Sequence, residues 1–222
     1  MSISISNPLF AIILGLSVAL AISYFYGHKK NLRLIERVSK CLEESLEPTD
    51  QEYTWLGGVL GFTGNFQVKG FDKVTASVFM LPRQSLLYFP FSYITTGCDR
   101  VEVMFYLKQK VTNEIHVIRK IMPSYRMPTI YEKESLHSEN VQLHGKRFEL
   151  MYRHRTGDVA RFLAVAGRLE PQEFMHIALT PRKGIFYVRL KILPAEPEKI
   201  SRAVADCLYF LKKWKPENYG AR

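Results

Sequence analysis

The chain has 222 residues, with 31 Lys and Arg against 21 Asp and Glu, a formal net charge of +10. Its three cysteines, Cys41, Cys98 and Cys207, are odd in number and widely spaced and show no metal or redox motif. A basic surface of this size suits anionic lipid headgroups, nucleic acid or plain solvation, and charge alone does not choose among them.

Residues 1 to 7 form a short uncharged tail. From Pro8 to Tyr26 the chain reads PLFAIILGLSVALAISYFY, with no Asp, Glu, Lys or Arg. At about 1.5 Å per helical residue this run matches the hydrocarbon thickness of a bilayer, so a transmembrane helix is expected over 8–26. A cleavable signal peptide needs a basic region before its apolar core, and nothing before Pro8 is charged. A surface helix of a soluble domain would carry a polar stripe, and this run has none. Tyr24, Phe25 and Tyr26 cluster at one end as an aromatic belt would.

Every Lys and Arg lies after His28, with Lys29, Lys30, Arg33 and Arg37 directly behind the span. The positive-inside bias therefore predicts an N-terminus outside and a C-terminal domain in the cytosol, where the cysteines stay reduced. Residues 27–47 continue as a juxtamembrane helix: Leu32, Ile35, Val38, Leu42 and Leu46 recur at spacings of three and four, with charges between them. Pro48 and the polar residues after it end that helix.

Residues 48–215, followed by a tail at 216–222, read as one cytosolic α+β domain, built on a mainly antiparallel sheet and closed by a C-terminal amphipathic helix. In residues 54–81, β-branched and aromatic residues alternate with glycine. Gly58, Gly61 and Gly64 are spaced by three, but no helical pattern follows as a dinucleotide fingerprint requires, so bulges and turns between antiparallel strands are expected. Val101, Val103, Phe105 and Leu107 alternate with Glu102, Met104, Tyr106 and Lys108 as a half-buried strand. Residues 114–122 are expected to pair with it across Thr112 and Asn113. Residues 123–147, rich in Pro, Ser, Glu and His, read as a connecting loop whose His137 and His144 match no metal-ligand spacing.

The stretch 146–162, KRFELMYRHRTGDVARF, is the most basic. Arginines among Phe148, Tyr152 and Phe162 are one way to hold single-stranded nucleic acid, and a strand with a charged outer face is the simpler account. Residues 175–193 read as a hairpin turning at Pro181–Gly184, with Phe186, Val188, Leu190 and Ile192 on one face and Tyr187, Arg189 and Lys191 on the other. The chain closes with a helix from about Pro197 to Trp214, its stripe formed by Ile200, Ala203, Val204, Cys207, Leu208 and Leu211. No nucleophile elbow, HExxH or P-loop is present, and a non-enzymatic protein with no cofactor, metal or small-molecule substrate is expected.

The order of these features resembles the calumin family, single-span endoplasmic reticulum proteins that work with a small intramembrane chaperone partner beside the Sec translocon. Gly27, His28, Lys29, Lys30, Asn31, Leu32, Arg33 and Leu34 are similar to that family's span junction. Arg83, Gln84, Leu86 and Leu87 match its K-R-Q-x-L-L pattern, and DRVEVMFYL looks like its next strand. The family's acidic, calcium-associated leader and its charged coiled-coil tail find no counterpart in these residues, so calcium binding is not carried over. The resemblance implies a factor beside translocon and ribosome in multipass membrane-protein insertion, in the cell membrane of a prokaryote or the endoplasmic reticulum of a eukaryote. Arg153, Arg155, Arg182, Lys183, Arg189 and Lys191 are the candidates for contact with ribosomal RNA or anionic lipid headgroups. A membrane-anchored lipid- or small-ligand-binding domain and a recruitment module for a soluble partner are the alternatives.

Overall fold

The computed structural model describes residues 8–120, 128–130, 132–170 and 173–216. The expected tail 1–7, residues 217–222 of the other tail, and residues 121–127 lie outside these. One unbroken helix, α1, runs through Pro8–Leu46, 39 residues. Its first half is exposed and apolar on every face, long enough to cross a membrane, with none of the span window buried. From Gly27 onward one face is buried through Asn31, Leu34, Ile35, Val38, Cys41, Leu42, Ser45 and Leu46. Leu32 departs from the expected stripe and stays 44% exposed, because the buried face is centred on Leu34, Ile35 and Val38. Glu47 closes the helix at φ 45°, its N–H donating to the Glu43 carbonyl at 3.0 Å, and Pro48 prevents continuation.

The domain is an α+β fold around a nine-stranded antiparallel sheet. Its strands are β1 (Asp50–Trp55), β2 (Gly61–Gln67), β3 (Phe71–Phe79), β4 (Arg100–Leu107), β5 (Ile115–Arg119), β6 (His137–Leu143), β7 (Lys146–Tyr152), β8 (Phe174–Thr180) and β9 (Ile185–Lys191). Their order is β1-β2-β3-β4-β9-β8-β5-β7-β6. The glycine-rich region makes β1, β2 and their turns, as expected. At Gly61, φ is 141° and any Cβ would overlap the Val78 carbonyl of the neighbouring strand.

The other helices are α2 (Tyr88–Thr96), α3 (Gly157–Ala166) and α4 (Lys199–Lys213). The main core lies on one face of the sheet, where Val101, Val103, Phe105, Phe186, Val188 and Leu190 meet the apolar sides of α1, α3 and α4. Phe162 of α3 packs on Phe186, Phe210 and Trp214, and the Trp214 indole N–H donates to Asp158 at 2.7 Å. Each large apolar side chain fully buried here contributes roughly 1.5–3 kcal/mol. Cys41 and Cys207 are buried thiols in this layer, Cys207 pushed up in pKa by burial.

Three expectations are corrected. β5 pairs with β7 and β8, not with β4, whose second neighbour is β9 through Val103↔Val188. The reason lies in Asn113, which is buried and not a turn residue: its amide donates to the His154 carbonyl at 2.7 Å and accepts from the His154 N–H at 3.0 Å, carrying the chain away from β4. The expected loop 123–147 contains β6, an edge strand that hairpins onto β7 through His144 and Gly145, both at positive φ. The basic stretch 146–162 is only half strand. It turns at Arg153–Thr156 into α3, whose Val159, Phe162, Val165 and Ala166 are buried.

Candidate functional site

Two places gather residues that do more than fill the core. The first is the joint where α1 enters the domain. A Cβ at Gly27 would overlap the carbonyl of Arg83, so only glycine lets the loop after β3 lie against the helix there. One turn later Asn31, fully buried, donates to the Leu81 carbonyl at 2.8 Å and the Val59 carbonyl at 3.1 Å. Its own carbonyl accepts from Arg83 at 2.9 Å. The Arg83 guanidinium then forks onto Asp99, Nη1 to Oδ1 at 2.8 Å and Nη2 to Oδ2 at 2.5 Å, and the Leu81 N–H also donates to Asp99 at 2.8 Å. The Asp99 side chain is only 1% exposed, so this bidentate pair is its main compensation for burial.

The second place is the face of the sheet opposite the helices. Here β4, β5, β8 and β9 present a cleft of about 770 Å³. Its polar floor is a chain of contacts: Arg153 Nη2 to Glu114 Oε2 at 3.0 Å, Glu114 Oε1 to His116 Nε2 at 3.2 Å, and His116 Nδ1 to His176 Nε2 at 3.2 Å. A carboxylate only accepts, so His116 carries its proton on Nε2, its Nδ1 accepts from His176 Nε2–H, and His176 Nδ1 is left a bare acceptor. That nitrogen is buried with no hydrogen-bond partner among the described residues, an arrangement that costs on the order of 1–3 kcal/mol. Burial lowers the pKa of both histidines, that of His176 well below its ordinary value, with His116 and Arg189 adding to it. Tyr187 packs its edge against His176, and burial raises its phenol pKa.

The six basic candidates divide. Arg153, Arg182 and Lys183 line the cleft. Arg182 and Lys183 are exposed at the β8–β9 turn, whose Gly184 takes φ 61°. Arg189 lies beside the cleft and is committed to Glu102 at 3.1 Å and to the Tyr187 hydroxyl at 2.8 Å. Lys191 sits opposite Arg100 on β4, and Arg155 pairs with Glu139 at 3.2 Å on the far side of β7. They are therefore spread along the sheet and not gathered at one point. At the joint, Lys29, Lys30, Arg33 and Arg37 line a groove with Tyr26, Leu34 and Pro194, and Arg37 reaches Glu198 of the α4 entry at 2.5 Å. Arg83 and Gln84 meet Gly27 and Asn31, while Leu86 and Leu87 project outward, 43% and 78% exposed. Sequence reasoning missed His116 and His176, which stand 60 residues apart and come together only through the β5–β8 pairing. His137 and His144 lie on β6 and its turn. Among the described residues no group of three His, Cys, Asp or Glu is placed to hold a metal ion.

No protein-family model matches the chain, and no curated protein matches it. Among solved structures the chain is similar to the crystal structure of the mycobacterial trehalose monomycolate transport factor A, TtfA, at 10% identity and a TM-score of 0.46. The match covers 82% of this chain and 98% of that one. At that identity and score the likeness carries no functional weight.

Proposed function

We propose that this chain is a non-enzymatic, membrane-anchored factor whose open-face cleft holds a ligand with an acidic head and an apolar body. The cleft supports this reading: its volume of about 770 Å³ suits a small ligand, its walls include Met104, Ile130, Ala178 and Ile185, and Arg153, Arg182 and Lys183 stand at its polar side. The two histidines spend three of their four ring nitrogens on each other and on Glu114, which favours holding over turnover. Native mass spectrometry of the full chain, purified in mild detergent, tests it. A stoichiometric co-purifying acidic lipid or fatty acid, lost in Arg182→Glu/Lys183→Glu, is expected; an empty cleft in protein exposed to such lipids overturns it.

A second reading follows the resemblance: a factor beside the Sec translocon and ribosome in multipass insertion, with a small intramembrane chaperone as partner and its domain in the cytosol. The exposed Arg182 and Lys183 at a hairpin tip favour it, since protruding cations reach RNA phosphates without rearrangement. Full-length protein in nanodiscs would then co-sediment with ribosomes from the source cell, weakening steeply with salt through counterion release. Absence of binding at low salt sinks this reading and leaves the first standing.

A further inference from the structure

From Ser85 to Cys98 the chain carries no charged residue, reading SLLYFPFSYITTGC. Most of it forms α2, and most of α2 is uncovered: Leu87 is 78% exposed, Phe91 59%, Ile94 59%, and Tyr88 and Tyr93 55% each, with Ser92 its one buried residue. A helix this apolar with so little of its surface inside the protein is a large unsatisfied patch for a chain in water. Its position in the fold says what covers it. The Arg83–Gln84 backbone that leads into α2 touches Gly27, and the Phe89 N–H already donates to the Ser85 carbonyl at 2.8 Å. So α2 begins within about one turn of the point where the exposed apolar half of α1 ends. At that same level stand Tyr24 and Tyr26, exposed, and Lys29, Lys30 and Arg33, also exposed. Aromatic rings over cations are the mark of a bilayer's interface.

We infer that α2 is a second membrane contact, its Leu87, Phe91 and Ile94 set into the boundary between headgroups and acyl chains beside the span. A protein occupant would have to share this place with the lipid that surrounds α1. Tyr88 and Tyr93 suit the interface because each offers an apolar ring and a hydroxyl that stays in water. Pro90 falls in the first turn of α2, where its fixed φ suits the helix. The Arg83–Asp99 pair fixes both ends of the uncharged segment to the domain, so α2 and the span are held as a two-point mount.

The test uses the full chain reconstituted in phosphatidylcholine vesicles containing a lipid with a photoactivatable diazirine in its acyl chain. After irradiation, peptide mapping is expected to find lipid adducts on residues 86–94 as well as on 8–26, and none on β6. Adducts confined to the span, or cross-links from α2 to a second copy of the chain in place of lipid, overturn the inference. In Leu87→Asp/Phe91→Asp/Ile94→Asp the α2 adducts are lost while those on the span persist. A triple variant with unchanged near-ultraviolet circular dichroism that keeps its α2 adducts overturns the inference as well.

Discussion

Asp99 and Asn31 are the residues on which the joint depends. With its side chain 1% exposed, Asp99 has Arg83 as its compensating charge, and Arg83→Ala leaves a carboxylate buried without a cation. Loss of about 3–5 kcal/mol is expected, read as a lower urea midpoint in detergent-solubilised protein. Arg83→Lys recovers only part of it, because a point charge cannot fork onto both oxygens. The histidine pair gives a pH dependence of known sign. Both histidines have folded-state pKa values below the ordinary 6.5, by burial first. Above pH 7 folded and unfolded chains are alike neutral at these positions. As pH falls through 6.5 the unfolded chain takes up protons that the folded one refuses, so stability falls progressively toward the folded-state values. Urea midpoints at pH 7.5 and pH 5 measure this, and the slope flattens in His116→Gln/His176→Gln. Little of the cleft was legible in the sequence: its cations Arg153, Arg182 and Lys183 stood out, but His116 and His176 meet through a strand pairing that local patterns do not encode.

Helix α1 changes character along its length. Up to Tyr26 it is apolar all round, and from Gly27 it is amphipathic, its buried side packed on α4 with Arg37 and Glu198 closing the edge. Leu42 is fully buried between helix and sheet, and Leu42→Ala is expected to cost about 2–5 kcal/mol, with a matching fall in thermal midpoint. Leu32→Ala, on the 44% exposed side of the same helix, changes stability by less than about 1 kcal/mol, a contrast that scanning calorimetry resolves. The 3.6-residue period of α1 and α4 and the alternation in β4 and β9 were readable from sequence because each has one wet face. β5 was assigned the wrong neighbour because Ile115, His116, Val117 and Ile118 are all buried, which leaves no face to declare its register. Two helices, α2 and α3, were missed for different reasons. α3 follows β7 after only Arg153–Thr156, inside one basic run, and α2 has no polar face from which a period can be read.

As a whole the molecule is a sheet with one face packed by helices and the other open, mounted on an apolar helix. That mount predicts that the full chain stays with the membrane pellet under alkaline carbonate, whereas a peripheral protein held by Lys29, Lys30 and Arg33 alone would be released; carbonate extraction followed by immunoblotting measures this. The change from an apolar to an amphipathic helix was legible because composition changes abruptly at Gly27. The joint between span and domain was legible only as scattered motif residues, Gly27, Asn31, Arg83 and Gln84, until folding brought them to one point.

Because no residue from Pro8 to Leu46 leaves the helix, the chain has no hinge where most anchored domains have a flexible leash. The rod is about 58 Å long at 1.5 Å per residue. A bilayer that thins or thickens changes the tilt of a span by mismatch, and in a rod without a break a change of tilt is felt at the sheet as well. A domain carried on such a rod would turn with its span and not independently of it, so its angle to the bilayer is the quantity to follow as lipid thickness is varied.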